Sequence, residues 1–380
     1  MLRIGSALSL DPDPARAARQ AAAGALAEAG LDRADAALVF ANGHPRFEGL
    51  CGAVVDRLGT ASVAGATAHG VIAGALEEEE RPAVAVFALG GLETVAFGLG
   101  DLAGAEDAAG PEIESALGRS ATERDLVVLL ADPLALDMAR LLGTLGETLG
   151  PAVLVGAGAA PMASGAALSY GGRDLTSPGA CGLVLRLERP ARTVLSHGCR
   201  PISDPLRVTR TEGHWIIELD GRPALDVYRE VARGPLAADL RRASEHLLVA
   251  LPRPRRTAGD EDYVARSLAG FAEERRAFAL VEELRPGSRI RLALRDADFA
   301  REDLKRALES MRGGPPAGGL YLSCSGRGRA LFGHAGLETA YVAGALAPAP
   351  LGGMFGAFQF GPVAGSTERL TYAGVLALIG

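Results

Sequence analysis

The sequence predicts an α/β chain of mixed α+β type: two related halves rich in strand–helix–strand units, with β-sheets flanked by helices and an internal duplication. Three observations carry this. Short apolar runs alternate with helix-like stretches from end to end. With 380 residues, 48 % of them hydrophobic, the chain is long enough for two domains and too apolar for disorder. Three segments also echo one another, VAGATAHGVIAG (63–74), VLVGAGAAP (153–161) and PLGGMFGAFQFGP (350–362). Each is an apolar strand that enters a glycine-rich turn after a helix.

In chain order, the Ala-rich stretch 13–29 reads as a helix stopped by Gly30. AALVFA (36–41) is a short apolar run suited to a strand buried on both faces. Phe47, Leu50, Cys51, Val54, Val55 and Leu58 recur at spacings of three and four, a helix over 47–58. Residues 62–68 and 82–89 return as strands. Asp101–Pro111 reads as a small-residue acidic loop, 125–130 as a strand, 134–148 as a helix and 151–156 as a strand. Stretches 165–170 and 182–187 suggest a meander. Farther on, strands are expected at 214–219, 277–281, 289–294 and 319–323, and helices at 223–232, 236–248, 299–312 and 336–347. Residues 369–379 form a closing strand. PRPRRTAGDED (252–262) reads as a solvated loop, and Glu77–Glu80 as a solvated face or edge strand.

Composition narrows the function. The 46 acidic side chains outnumber 39 basic ones, whereas a nucleic-acid reader carries a basic excess. Apolar stretches break before the roughly 20 residues that a spanning helix needs. No signal peptide is visible, so a cytoplasmic location is expected. Cys51, Cys181, Cys199 and Cys324 form no CxxC and no zinc-like Cys/His pair. Reduced thiols are expected, with no metal, no cofactor and no assigned catalytic residue. Only Lys305 is a lysine and only Asn42 an asparagine, and glutamine occurs at Gln20 and Gln359. Such a skew follows from GC-rich codons, so a lone arginine means little and a rare amide means more.

Three clusters could carry chemistry. In VLSHGCRPISDP (194–205), Gly198 allows a tight turn that aims His197 and Arg200. Cys199 beside Arg200 and His197 is either a thiol of lowered pKa or a buried residue of a rigid interdomain turn. In LSCSGRGRALFGH (322–334), Cys324 and Ser325 lead into Gly326-Arg327-Gly328. Two glycines let successive amides form an anion nest, and Arg327 either grips a ligand carboxylate or phosphate or pairs with a structural carboxylate. In GGMFGAFQFGP (352–362), Gln359 offers a neutral amide, or the segment is a packed strand pair with its phenylalanines in the core. Asn42-Gly43-His44-Pro45 follows a strand, where α/β folds place ligand groups, though NG is also a plain turn signal. His69 reads as structural.

Together these clusters resemble the FIST family (F-box and intracellular signal transduction proteins). ALVFANGHPRF, VAGATAHGVIAGALEEEERPAVAVFAL and VLVGAGAA look like its N-terminal half, and HGCRPISDPLRVTRTEGHWIIELDGRPALDVY resembles its junction segment. RIRLALRDADFAREDL, GGLYLSCSGRGRALFG and LGGMFGAFQFGPVAG look like the C-terminal half. The resemblance spans about residues 34–378 and implies a FIST N-terminal-like domain over 1–198, a C-terminal-like domain over 199–380 and no appended kinase, chemotaxis or F-box segment.

It also implies a sensory, signal-transducing module that binds a small molecule such as an amino acid or small carboxylate and has a signalling protein as partner. On this reading Arg327, Gly326, Gly328, Cys324, Ser325, His197, Cys199, Arg200, Gln359 and Asn42 contribute to a pocket between the halves. Two alternatives are a thiol enzyme using Cys324 or Cys199 with His197 as base, and a protein-interaction scaffold. Phe358 and Gln359 depart from the family's GEIGP, and Ser203 stands where glycine is common.

Overall fold

A computed structural model describes residues 1–44, 48–161, 167–172, 174–176, 179–232, 238–253 and 262–380. The core of the 252–262 segment and the first residue of the expected 47–58 helix lie outside the described residues.

The first unit comprises β1 (Arg3–Ser9), α1 (Pro14–Ala29), β2 (Ala36–Asn42), α2 (Glu48–Leu58), β3 (Val63–Thr67), the hairpin β4 (Gly70–Ala73) and β5 (Leu76–Glu78), and β6 (Ala83–Gly90). The second repeats it: β7 (Glu93–Gly100), α3 (Ala109–Leu117), β8 (Asp125–Ala131), α4 (Met138–Thr148), β9 (Val153–Gly158), hairpin β10 (Ser169–Gly171) and β11 (Asp174–Leu175), and β12 (Gly179–Arg186).

A third unit opens with β13 (Arg192–His197) and is interrupted by β14 (Cys199–Pro201), β15 (Leu206–Glu212), β16 (Trp215–Leu219), β17 (Arg222–Pro223), α5 (Ala224–Ala232), α6 (Leu240–His246), β18 (Leu247–Arg253), β19 (Asp262–Arg266), β20 (Leu268–Ala272), β21 (Ala277–Leu280) and β22 (Arg289–Arg295). It resumes with α7 (Ala297–Glu309), β23 (Gly318–Cys324), α8 (Gly328–Phe332), α9 (Leu337–Leu346), β24 (Leu351–Gly356), hairpin β25 (Gln359–Val363) and β26 (Ser366–Leu370), and β27 (Ala373–Ile379).

Strand order makes the repetition explicit. The sheets run β1-β6-β2-β3, β7-β12-β8-β9 and β13-β27-β23-β24, each then extended by a hairpin from another unit. In every sheet the third and fourth strands are parallel and the other pairings antiparallel. The hairpins are exchanged in a ring: β4–β5 joins β24, β10–β11 joins β3, and β25–β26 joins β9. The three sequence echoes are thus three equivalent strands with the chain that leaves them, and the duplication is threefold. Residues 199–295 form a nine-stranded sheet inserted into the third unit. Position 198/199 is where the chain leaves the third sheet, whose β13 then pairs with β27.

Local chemistry explains the elements. Asp13 caps α1 by accepting from the Arg16 amide at 2.7 Å, Pro14 begins it, and Gly30 ends it in the left-handed region. Its buried alanines bring it close to β1, where a Cβ at Gly5 would lie 2.1 Å from the Ala25 carbonyl oxygen. The acidic stretch after Asp101 is not wholly a loop: buried Glu106 accepts from the Gly104 and Asp137 amides, and α3 begins at Ala109. The helix expected over 236–248 stops at His246, because Leu247–Ala250 pair with β22.

Candidate functional site

The two main sequence clusters meet. The Gly198 amide donates to the Tyr372 carbonyl oxygen, and the Gly326 Cα faces the Tyr372 ring. Arg327 reaches from the end of β23 to Ser196 on β13.

This junction is closed. Arg327 is fully buried, and its Nε donates to Glu338 at 2.6 Å. Glu338, equally inaccessible at the start of α9, also accepts from the Tyr321 and Ser323 hydroxyls and the Gly328 amide at 3.0–3.2 Å. Burial works against the Arg327 charge, and Glu338 outweighs it, so the guanidinium stays protonated. The Gly-Arg-Gly turn therefore already holds an anion, the chain's own, through the Arg327 guanidinium and the single Gly328 amide, while the Arg327 amide donates to the Cys324 carbonyl oxygen rather than joining a nest. Its neighbours are capped likewise: Glu79 accepts from the Arg329 amide, and Glu77 from the Gly336 amide and the Thr339 hydroxyl. Glu77–Glu80 thus includes an edge strand, as read, but two of its carboxylates are half-buried caps.

Sulfur chemistry meets an obstacle here. All four cysteines are buried thiols outside any disulfide. Burial pushes the Cys199 thiol up to about 12 and raises Cys324, the reverse of what a nucleophilic thiolate needs.

His197 faces an open space instead. One face of β19, β18, β22 and β14 lies opposite β13 and α7, leaving a cleft of about 920 Å³ at the seam between the insert and the third unit. Tyr263 stacks on His197 with ring centroids 4.2 Å apart, and Asp303 of α7 accepts from the His197 amide at 2.7 Å. Arg306 pairs with Asp303 at 3.1 Å. Arg291, opposite Ala250 in the β18–β22 ladder, also lines the cleft. Its buried Nε has no hydrogen-bond partner, and no carboxylate lies within ion-pair distance among the described residues.

The other sequence-derived candidates sit elsewhere. Arg200 is half-exposed and pairs with Asp296 at 3.0 Å. Asn42 ends β2, where its Nδ2 donates to the Glu78 carbonyl oxygen and its Oδ1 is buried without a partner. Gln359 opens β25. Phe358 and Phe360 on either side pack in the cluster with α3 and α4, so Gln359 points the other way, its register partners Ala157 and Leu370 in the inner core. It is fully buried, and neither side-chain polar atom has a hydrogen bond. The structure thus brings His197 to the cleft, while Arg327, Gly326, Gly328, Cys324, Ser325, Cys199, Arg200, Gln359 and Asn42 do not line it.

Sequence reasoning missed Arg291, Tyr263 and Asp303. The alternation RIRLALR was the available signal, because it sets Arg291, Ala293 and Arg295 on one face.

The FIST N domain model matches residues 35–222 and the FIST C domain model residues 224–362. The chain belongs to the FIST family. FIST domains are generally associated with signal transduction and small-ligand sensing. An uncharacterized protein of Mycobacterium tuberculosis is 32 % identical over 385 residues, covering 99 % of each chain, and one of Mycobacterium bovis is 31 % identical over 386 residues, covering 99 % of this chain and 98 % of that one. Among solved structures, cyanuric acid hydrolase from A. caulinodans matches at TM-score 0.30 and 16 % identity over 48 % of this chain and 70 % of that one. T. maritima PurL complexed with ATP matches at TM-score 0.23 and 12 % identity over 99 % and 71 %. Neither score carries an argument about function. No described helix of this FIST protein is long and apolar enough to cross a membrane.

Proposed function

We propose that this FIST protein is a cytoplasmic sensory module whose small-molecule ligand, an amino acid or small carboxylate, occupies the seam cleft. The observation that carries the reading is Arg291, a cation in the cleft wall with no carboxylate paired to it among the described residues. A buried or half-buried charge normally has a partner, and a ligand carboxylate supplies one in bidentate geometry. The stacked His197 and Tyr263 rings give an apolar face, and Asp303 with Arg306 lines α7's side. A few polar groups converging in a cleft of this size fit a small-ligand site.

Arg327 has a different part in this reading. It fixes β13 to β23 through Ser196 and so positions the wall that carries His197. Because the insert and the third unit meet at the cleft, a ligand bound there would bias their docking. That is a route by which occupancy reaches a signalling protein partner. Thermal-shift screening with amino acids and small carboxylates, followed by titration calorimetry, tests the assignment. A confirmed ligand should lose about tenfold or more in affinity on Arg291→Gln; unchanged affinity would place the ligand elsewhere.

A further inference from the structure

A second cleft, of about 640 Å³, lies between α4 and hairpin β25–β26 of the third unit, with Arg266, Val281 and Glu282 of the insert closing one side. On the side of α4 and the turn that precedes it, Leu136, Met138 and Leu142 form an apolar wall, and Val281 is a rare large hydrophobic residue left exposed.

The charges around this space are unevenly satisfied. Glu368 accepts from Arg253 at 2.5 Å and lies 3.5 Å from Arg266, while Glu282 accepts from Arg266 at 2.6 Å. Asp137 caps α4 through the Ala139 and Arg140 amides. Each of these acids is thus engaged. Arg369, partly buried, has no ion-pair partner among the described residues, and its guanidinium lies 5.9 Å over the Phe358 ring. Burial, and after it the neighbouring Arg266, weigh against its charge, and Glu282 offsets them only in part. The buried Arg266 and Arg327 are each matched to a carboxylate, whereas Arg369 has no ion-pair partner of its own among the described residues.

We propose that this cleft is a second ligand site, taking an amphipathic monocarboxylate whose head pairs with Arg369 and whose aliphatic body lies on Leu136, Met138 and Leu142. The flanking Glu282 and Glu368 favour a single charge, since they repel a dianion such as a phosphate monoester about twice as strongly as a monoanion. The apolar wall explains the tail, because its burial supplies affinity that one ion pair lacks. The site is separate from the seam cleft and does not depend on it.

Calorimetric titration of the full chain with sodium octanoate tests the proposal. Saturable binding is expected, with acetate, the head without the tail, binding far more weakly. Arg369→Gln should weaken octanoate about tenfold or more. Gly143→Phe plugs the cleft from α4, where an added Cβ meets nothing within 4 Å, and should weaken it similarly while leaving the thermal midpoint in place. It therefore decides the matter if Arg369→Gln destabilises the fold. Arg291→Gln should leave octanoate binding alone. Absence of saturable binding at millimolar octanoate, affinity untouched by Gly143→Phe, or loss on Arg291→Gln instead would each overturn it.

Discussion

Arg327 and Arg291 occupy opposite kinds of environment a short way apart. Arg327 sits in a glycine-framed turn with no exposure, opposite Glu338 and bonded to Ser196. Arg291 stands in an ordinary strand, lining an open cleft with a buried Nε that bonds to nothing. The motif with the stronger look of a binding site has been closed by the chain itself, and the unremarkable strand residue has been left open. A glycine-framed arginine shows that an anion is held there; whether that anion comes from outside depends on which carboxylate the fold delivers.

The largest expected effect lies on the closed side. Removing one member of a buried ion pair strands the other, so Glu338→Ala should cost about 3–5 kcal/mol, read from urea or thermal unfolding. Arg327→Met combined with Glu338→Leu should recover much of that loss, because neither charge then remains buried. A Glu338→Ala protein as stable as wild type would show that Arg327 finds solvent or another acid, and the contrast would fail.

Arg291→Ala should do the reverse. Its guanidinium has no hydrogen-bond or ion-pair partner to lose among the described residues, so stability should move by no more than about 0.5 kcal/mol, while affinity for the seam ligand falls by about 1.5–3 kcal/mol. Measuring both on one preparation separates a binding role from a structural one. A large loss of stability would mean that Arg291 is a packing residue like Arg327.

How much of this was legible follows from the range of the interactions. The Gly30 stop of α1 is local, and the sequence shows it; the Asp13 cap is equally local but emerged only from the structure. The strand-to-glycine echoes at 63–74, 153–161 and 350–362 were visible because equivalent strands face equivalent steric demands; at Gly156 a Cβ would lie 2.0 Å from the Leu129 carbonyl oxygen. The exchange of hairpins was hidden, since Gln359 pairs with Ala157 across some two hundred residues. The Arg327 turn was readable but its occupant was not, because Glu338 comes eleven positions later at the start of another helix. Arg291 was masked by abundance: one arginine among many carries no signal until its partners are counted in space.

Gln359 tests the same logic with an uncharged group. Its amide is buried with neither polar atom bonded, and an unsatisfied buried polar group costs about 1–3 kcal/mol. Gln359→Met, close in volume and without that demand, should therefore stabilise the protein by about 1–2 kcal/mol, read as a higher urea midpoint at unchanged slope. Destabilisation instead would reveal that the amide is satisfied by a bound water or ligand, and Gln359 would rejoin the open residues.

The smallest effect comes from the rim of the closed network, where negative charge is in excess. Burial raises the Glu79 carboxyl above its ordinary 4.5, and neighbouring Glu77 and Glu338 add to the rise against the Arg329 amide and charge. The folded state thus holds this proton more tightly than the unfolded chain. Its contribution to stability is complete below pH 4.5 and is lost as pH rises through the raised folded value. Glu79→Gln keeps an oxygen for the Arg329 amide and removes the titration. Relative to wild type, the variant should gain stability between about pH 4.5 and neutrality and change little with pH below that, by less than about 1 kcal/mol in all. Thermal midpoints of both proteins across that interval give the sign directly. If the difference instead grows as pH falls, Glu79 is held ionised by Arg329, and the charge balance around Arg327 is the opposite of the one drawn from its neighbours.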